Sequence, residues 1–136
     1  VKTKTLSKLK KELDKWFSLY IRLRECNEYG MVQCFTSGRV YHYKKIHAGH
    51  FMSRKHLSTR WCETNVQPQS AADNLFGQGE QFRFGLNLDA KYGDGTAEQL
   101  QYKSRLTIKF SRTEIEEKIS YYKSLVNKIK EQKQIE

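Results

Sequence analysis

Two apolar stripes at helical spacing, one near each end of the chain, constrain the fold more than anything between them. Near the N-terminus, Leu6, Leu9, Leu13, Trp16, Tyr20 and Leu23 recur at steps of three and four. That spacing puts them on one face of a helix over residues 5–24. Near the other end, Ile115, Ile119, Tyr122, Val126 and Ile129 form a heptad-like stripe. Its helix opens at the capping box Ser111-Arg-Thr-Glu114, where the serine accepts the third amide and the glutamate reaches back. Faces of this kind pack on each other by default; the heptad spacing also suggests a homodimer as the alternative.

The 136 residues between and including these helices have the length of one domain. The middle of the chain reads differently from its ends. Met31–Thr36 and Arg39–Tyr43 read as a hairpin around Ser37-Gly38, and Ile46–Phe51 as a further strand broken at Ala48-Gly49. Residues 52–64 are polar and irregular, which predicts a loop. A short strand over Val66–Gln69 is interrupted by Pro68, and a helix starts near Ser70, its N-cap. Further helical pieces run over 80–92 and 96–104, separated by Gly93-Asp94-Gly95. The fold class is therefore α+β: an N-terminal helix (5–24), a mixed core (31–92) and C-terminal helices (96–136) in a single domain over 1–136.

Charge narrows the partners. Twenty-five Lys and Arg against 15 Asp and Glu give a net charge of +10, spread over every segment of the chain. A polyanion is the expected partner, because neutralising phosphates releases condensed counterions. A membrane-surface helix would concentrate its cations on one element, and no apolar run is long enough to span a bilayer. The basic opening has no export signal, and Cys26, Cys34 and Cys62 are odd in number with no Cys-x-x-Cys pair, so the expected location is a reducing cytoplasm.

All four histidines, His42, His47, His50 and His56, fall between positions 42 and 56, beside Arg54 and Arg60. A single histidine is ordinarily structural; four together suggest chemistry. In His47-Ala-Gly-His50 the imidazoles of a regular strand point to opposite faces. Gly49 can relax the backbone so that they converge. Phosphodiester hydrolysis needs a base near neutrality, an oxygen ligand for Mg²⁺ or Mn²⁺, and cations on the phosphates. The segment from His47 to Asn74 holds candidates for each.

The run Gly49-His50-Phe51-x-Ser53-Arg54-x-His56-x-x-Thr59-Arg60-Trp61-x-Glu63-x-Asn65-Val66-x-x-Gln69, followed by Asn74, resembles the signature of the lambda-type NinG (Rap) recombination endonucleases. The resemblance extends to the Leu13–Arg24 run and to Lys91-Tyr92-Gly93, so it covers most of the chain. It implies a central ββα-metal (HNH-like) finger and a phage-encoded DNA endonuclease acting on branched recombination intermediates such as Holliday junctions and D-loops. It further implies His50 as general base, Asn65 pinning the loop between strand and helix, and Asn74 as ligand of one Mg²⁺ or Mn²⁺ per site. Arg54, Arg60, His56, Lys55 and Arg39 are the implied DNA contacts.

Two departures qualify the resemblance. Family members carry two Cys-x-x-Cys pairs that would hold zinc. Here these read Cys34-Phe-Thr-Ser37 and Ser70-Ala-Ala-Asp73, so no structural Zn²⁺ is expected. The hairpin and helix are then joined by packing and hydrogen bonds through Ser37, Ser70 and Asp73, a site from Cys34, Asp73 and His42 being the alternative. Secondly, His47 stands where the family commonly has Asp. Either it joins Asn74 at the metal, favouring Mn²⁺ or Ni²⁺, or it faces away and Asn74 binds through waters. The competing function is a non-catalytic accessory protein that binds branched or single-stranded DNA. No RNA-binding signature is evident.

Overall fold

The computed structural model describes residues 3–136; Val1 and Lys2, the first residues of the basic opening, lie outside them. The N-terminal stripe forms α1 (Leu6–Arg24), capped by Thr5, whose side chain accepts the Lys8 N–H at 3.2 Å. Its deepest line is Leu9, Leu13, Phe17 and Ile21, at steps of four. Trp16 and Tyr20, expected at the centre, lie at the margin, and Leu6 is exposed. The cause is that α1 packs on two things at once, the C-terminal helix and the second sheet, so its contact face is rotated by one residue.

That C-terminal helix, α5 (Arg112–Lys133), starts at the predicted capping box, with both Ser111–Glu114 bonds made. Ile115, Tyr122 and Val126 are buried against α1, where the Phe17 and Tyr122 rings meet edge-on at 4.9 Å. At the far end Lys133 Nζ donates to the carbonyls of Leu23, Arg24 and Cys26, closing the C-terminus of α1 with a cation. The two stripes thus cover each other within one chain, the packing such faces adopt by default.

Two antiparallel hairpins stand between these helices. The first pairs β1 (Met31–Gln33) with β2 (Val40–His42), shorter than the sequence reading because residues 34–36 turn away to bind their neighbours. The second pairs β3 (His47–His50) with β4 (Val66–Gln69) in unbroken register, from His47 opposite Gln69 to His50 opposite Val66. Pro68 does not interrupt β4. It faces Ala48 in a pair that exchanges no hydrogen bonds, so its missing N–H lies on the outer edge. On that edge the Pro68 carbonyl accepts the Phe35 N–H at 2.7 Å, which stitches the two hairpins together.

The segment read as a loop contains a helical turn, α2 (Leu57–Arg60). Its polar sequence concealed it, because tertiary contacts hold it: Leu57 and Trp61 dock in the core, and Ser58 Oγ donates to the Lys103 carbonyl at 2.6 Å. After β4, Ser70 caps a turn as expected, accepting the Asp73 N–H at 3.2 Å. The turn is a five-residue π coil (Ala72–Phe76) and not a regular helix. Gln78, Gly79 and Glu80 then take left-handed backbone angles (φ 53°, 80° and 48°) before α3 (Gln81–Tyr92) and α4 (Thr96–Ser104). Phe84, Leu88 and Leu100 close a separate small core there. The protein is thus a mainly helical α+β fold with two small sheets. No helix among the described residues is long and apolar enough to cross a membrane.

Candidate active site

A two-stranded sheet leaves the outer edge of β3 unpaired, and along that edge, against α1, runs an open cleft of about 710 Å³. His47 and His50 both border it, with Asn74, Arg54 and Ser53. The imidazoles therefore meet at one cleft without any departure from regular pairing. Gly49 was expected to bend the strand; its role is clearance. The buried Gln69 side chain crosses it so closely that an added Cβ would lie 2.1 Å from Oε1.

His50 is fixed in one tautomer. Its Nε2 lies 3.0 Å from the Arg60 carbonyl oxygen, which can only accept, so Nε2 carries the proton. In the neutral ring Nδ1 is then bare and can take a proton. Burial pushes the imidazolium below its ordinary range and Arg54 and Arg60 add to this, against the Arg60 carbonyl and the Asp14 carboxylate. The neutral form thus prevails at pH 7.

The carbonyl that orients His50 is itself positioned. Asn65, fully buried, donates to the carbonyls of Met52 and Thr59 at 3.0 Å each and accepts the Met52 N–H at 2.8 Å. It ties the segment after β3 to the end of α2, one residue before Arg60. Thus Asn65 braces the site through backbone groups and does not border the cleft.

His47 does not face away. Its Nδ1 lies 3.1 Å from the side-chain amide of Asn74. Two donors at metal–ligand distances of about 2.1 Å and a right angle would be about 3 Å apart. With the Asn74 oxygen turned to this side, the pair has the spacing of neighbouring ligands on one small divalent ion. No group of three or more His, Cys, Asp or Glu side chains among the described residues has metal-binding geometry. An ion held here would complete its shell with water and phosphate oxygens, as Mg²⁺ and Mn²⁺ do.

The expected DNA contacts separate. Arg54 is exposed and borders the cleft. Arg60 is already engaged: its guanidinium grips Asp14 through both Nε, at 3.1 Å, and Nη2, at 2.5 Å, and lies 4.9 Å from the centre of the Trp61 ring. Neither Lys55 nor His56 borders the cleft, and Arg39 lies on another depression, beside Ser37 and Asp73. Asp14, Ser18 and Arg22, one step round α1 from its buried line, border the cleft together with Lys44. Sequence reasoning missed them, although their i, i+4, i+8 spacing inside the 13–24 run was the available signal.

At the positions of the family's cysteine pairs, hydrogen bonds join the hairpin to the π coil. Cys34 Sγ accepts the N–H groups of Ser37 and Ser70 at 3.4 and 3.2 Å, and Thr36 Oγ1 donates to Asp73 at 2.6 Å. Gln69 Nε2 adds bonds to Thr36 Oγ1 and the Gly79 carbonyl. Burial pushes the Cys34 thiol up, but the bonds from Ser37, Ser70 and Thr36 outweigh it and bring it to about 7. His42 is not part of this cluster: its Nδ1 accepts the Lys44 N–H instead.

The chain belongs to the NinG family: the family model described as bacteriophage lambda NinG protein matches residues 1–134. Membership associates it with a recombination-related role in phage. No curated protein and no solved structure matches it.

Proposed function

We propose that this protein is a divalent-metal-dependent DNA endonuclease that cuts branched intermediates of phage recombination, such as Holliday junctions and D-loops. The observation that carries the reading is the His50 tautomer: Nε2–H held by the Arg60 carbonyl and Nδ1 bare, in a basic cleft shared with His47 and Asn74. The succession of β3, β4 and the coil bearing Asn74 supports assignment to the HNH, or ββα-metal, nucleases.

In this reading His50 Nδ1 takes a proton from water as the water oxygen attacks phosphorus. The new P–O bond forms in line with the one that breaks, and the leaving oxygen is protonated from solvent. Arg54, Arg22 and Lys44 hold the flanking phosphates. Mg²⁺ or Mn²⁺, held by His47 and Asn74, would neutralise charge developing on the phosphoryl and leaving oxygens. Asn65 and Asp14 are positioning residues, acting through the Arg60 segment.

The competing reading, an accessory protein that binds branched DNA without cutting it, draws on the scarcity of metal ligands. Salt-dependent junction binding with no strand cleavage under Mg²⁺ or Mn²⁺ would favour it. If about five phosphates are contacted, log affinity should fall with log salt at a slope of roughly −4 to −5 under either reading. A slope near zero would remove the DNA-binding premise from both.

A further inference from the structure

Immediately beyond Asn74 the chain presents Leu75 and Phe76, which are 60% and 86% exposed. Large apolar side chains this open to water, beside a cleft, call for a ligand surface. Leu75 itself borders the His50 cleft as its lip, and Phe76 follows it directly in the chain. The lip is braced from beneath. The π coil ends at Gly77, whose N–H bonds the Ala72 carbonyl at 2.8 Å. Three successive left-handed residues follow, and the buried Gly79 carbonyl among them accepts Gln69 Nε2 at 2.8 Å. Gln69 pairs with His47 across the sheet, so one residue anchors both the lip and the strand that carries the histidines.

The surroundings decide the occupant. Arg22, Lys44 and Arg54 border the same cleft, on a chain of net charge +10. An apolar lip on a cationic cleft is complementary to a polyanion that bears flat apolar faces, which describes nucleic acid with a base out of its stack. A continuous duplex keeps its bases stacked, whereas a branch point exposes them.

We infer that Leu75 and Phe76 form a wedge that receives an unstacked base at the branch point of DNA bound in the His50 cleft, and so select branched DNA over duplex. The inference rests on the DNA-binding part of the proposed function, and not on cleavage. Its test measures binding in EDTA to a four-way junction and to a duplex of matched sequence. Wild type, Phe76→Ala and Phe76→Trp are compared on the intact junction and on one with an abasic nucleotide at the crossover.

Phe76→Ala should weaken junction binding on the order of tenfold and leave duplex binding unchanged, since one base–aromatic stack has that worth. Phe76→Trp should keep the preference. The abasic junction should weaken wild type by a similar factor and Phe76→Ala no further. Equal losses on junction and duplex would overturn the wedge, as would full additivity of variant and abasic site. An intact junction preference with an altered oligomeric state would also overturn it, in favour of a protein-docking face. Junction selectivity carried by Phe76 in a protein that never cuts would uphold the wedge while the nuclease reading fails. Junction cutting by a Phe76→Ala protein with unchanged preference would do the reverse. Absence of binding to either DNA would overturn both.

Discussion

Removing the Asp14 carboxylate should damage the site from a distance. Asp14 accepts both the Nε and Nη2 donors of Arg60 along one edge of the guanidinium, accepts the Trp61 Nε1–H at 2.9 Å, and lies within 3.9 Å of Arg54. The side chains of Asp14 and Arg60 are only 18% and 19% exposed, so Asp14→Ala leaves a largely buried guanidinium without a partner. Breaking one side of a fully buried pair costs about 3–5 kcal/mol. Partial access of water reduces this to about 2–3 kcal/mol. Unfolding entropy of about 2.1 cal/mol/K per residue gives roughly 0.3 kcal/mol/K for a chain of this length, hence a Tm lower by about 7–10 °C. The same residue holds the segment whose carbonyl sets the His50 tautomer, so kcat should fall on the order of tenfold or more at temperatures where the variant is folded, with KM changed less. Thermal melts followed by circular dichroism, and single-turnover cleavage well below the melting point, measure the two effects. A variant melting within 1–2 °C of wild type, with unchanged kcat, would refute both the energetic argument and the positioning role.

Two further expectations concern the same strand. Because burial holds the His50 imidazolium below its ordinary pKa near 6.5, cleavage should rise with pH with its midpoint below that value and level off by neutrality. A midpoint above the ordinary value in a pH–rate profile would contradict the buried-base assignment. Gly49→Ala should lower stability by about 1–3 kcal/mol, since its Cβ meets Gln69 Oε1 at 2.1 Å. In denaturant titrations Gly49→Ala/Gln69→Ala should cost less than the sum of the single changes; strict additivity would show that Gln69 is not what excludes a side chain there.

How much of this was legible in the sequence depended on whether the signal was local. The capping box at Ser111, the cap at Ser70, and the periodicity of the end helices are set by groups a few residues apart, and they read correctly or nearly so. The exact buried line of α1 was not legible, because choosing Phe17 and Ile21 over Trp16 and Tyr20 requires knowing that α1 faces a sheet as well as a helix. Nor was α2, whose polar turn is held by Leu57, Trp61 and the bond from Ser58 to the Lys103 carbonyl. At the cleft, the run from His47 to Asn74 marked the two histidines and the asparagine that the fold brings together. The partners of the arginines did not show. Arg60 reads as a phosphate contact until Asp14, distant in sequence, is seen to occupy it, and Arg39 belongs to the hairpin that faces another depression. Pro68 and Gly49 illustrate a subtler failure: each was read by its usual backbone effect, while the pairing register turns the nitrogen of one away from the β3–β4 ladder and sets the other beneath a crossing side chain.

The central claim is that His50 is the base of a metal-dependent nuclease, and its most direct test is strand cleavage of a labelled four-way junction and a matched linear duplex with Mn²⁺ or Mg²⁺, using wild type and His50→Ala. The account predicts junction cutting by wild type that disappears in the variant while junction binding and the thermal melt are retained. Cutting that survives His50→Ala, or tight junction binding with no cutting under either ion, would contradict it.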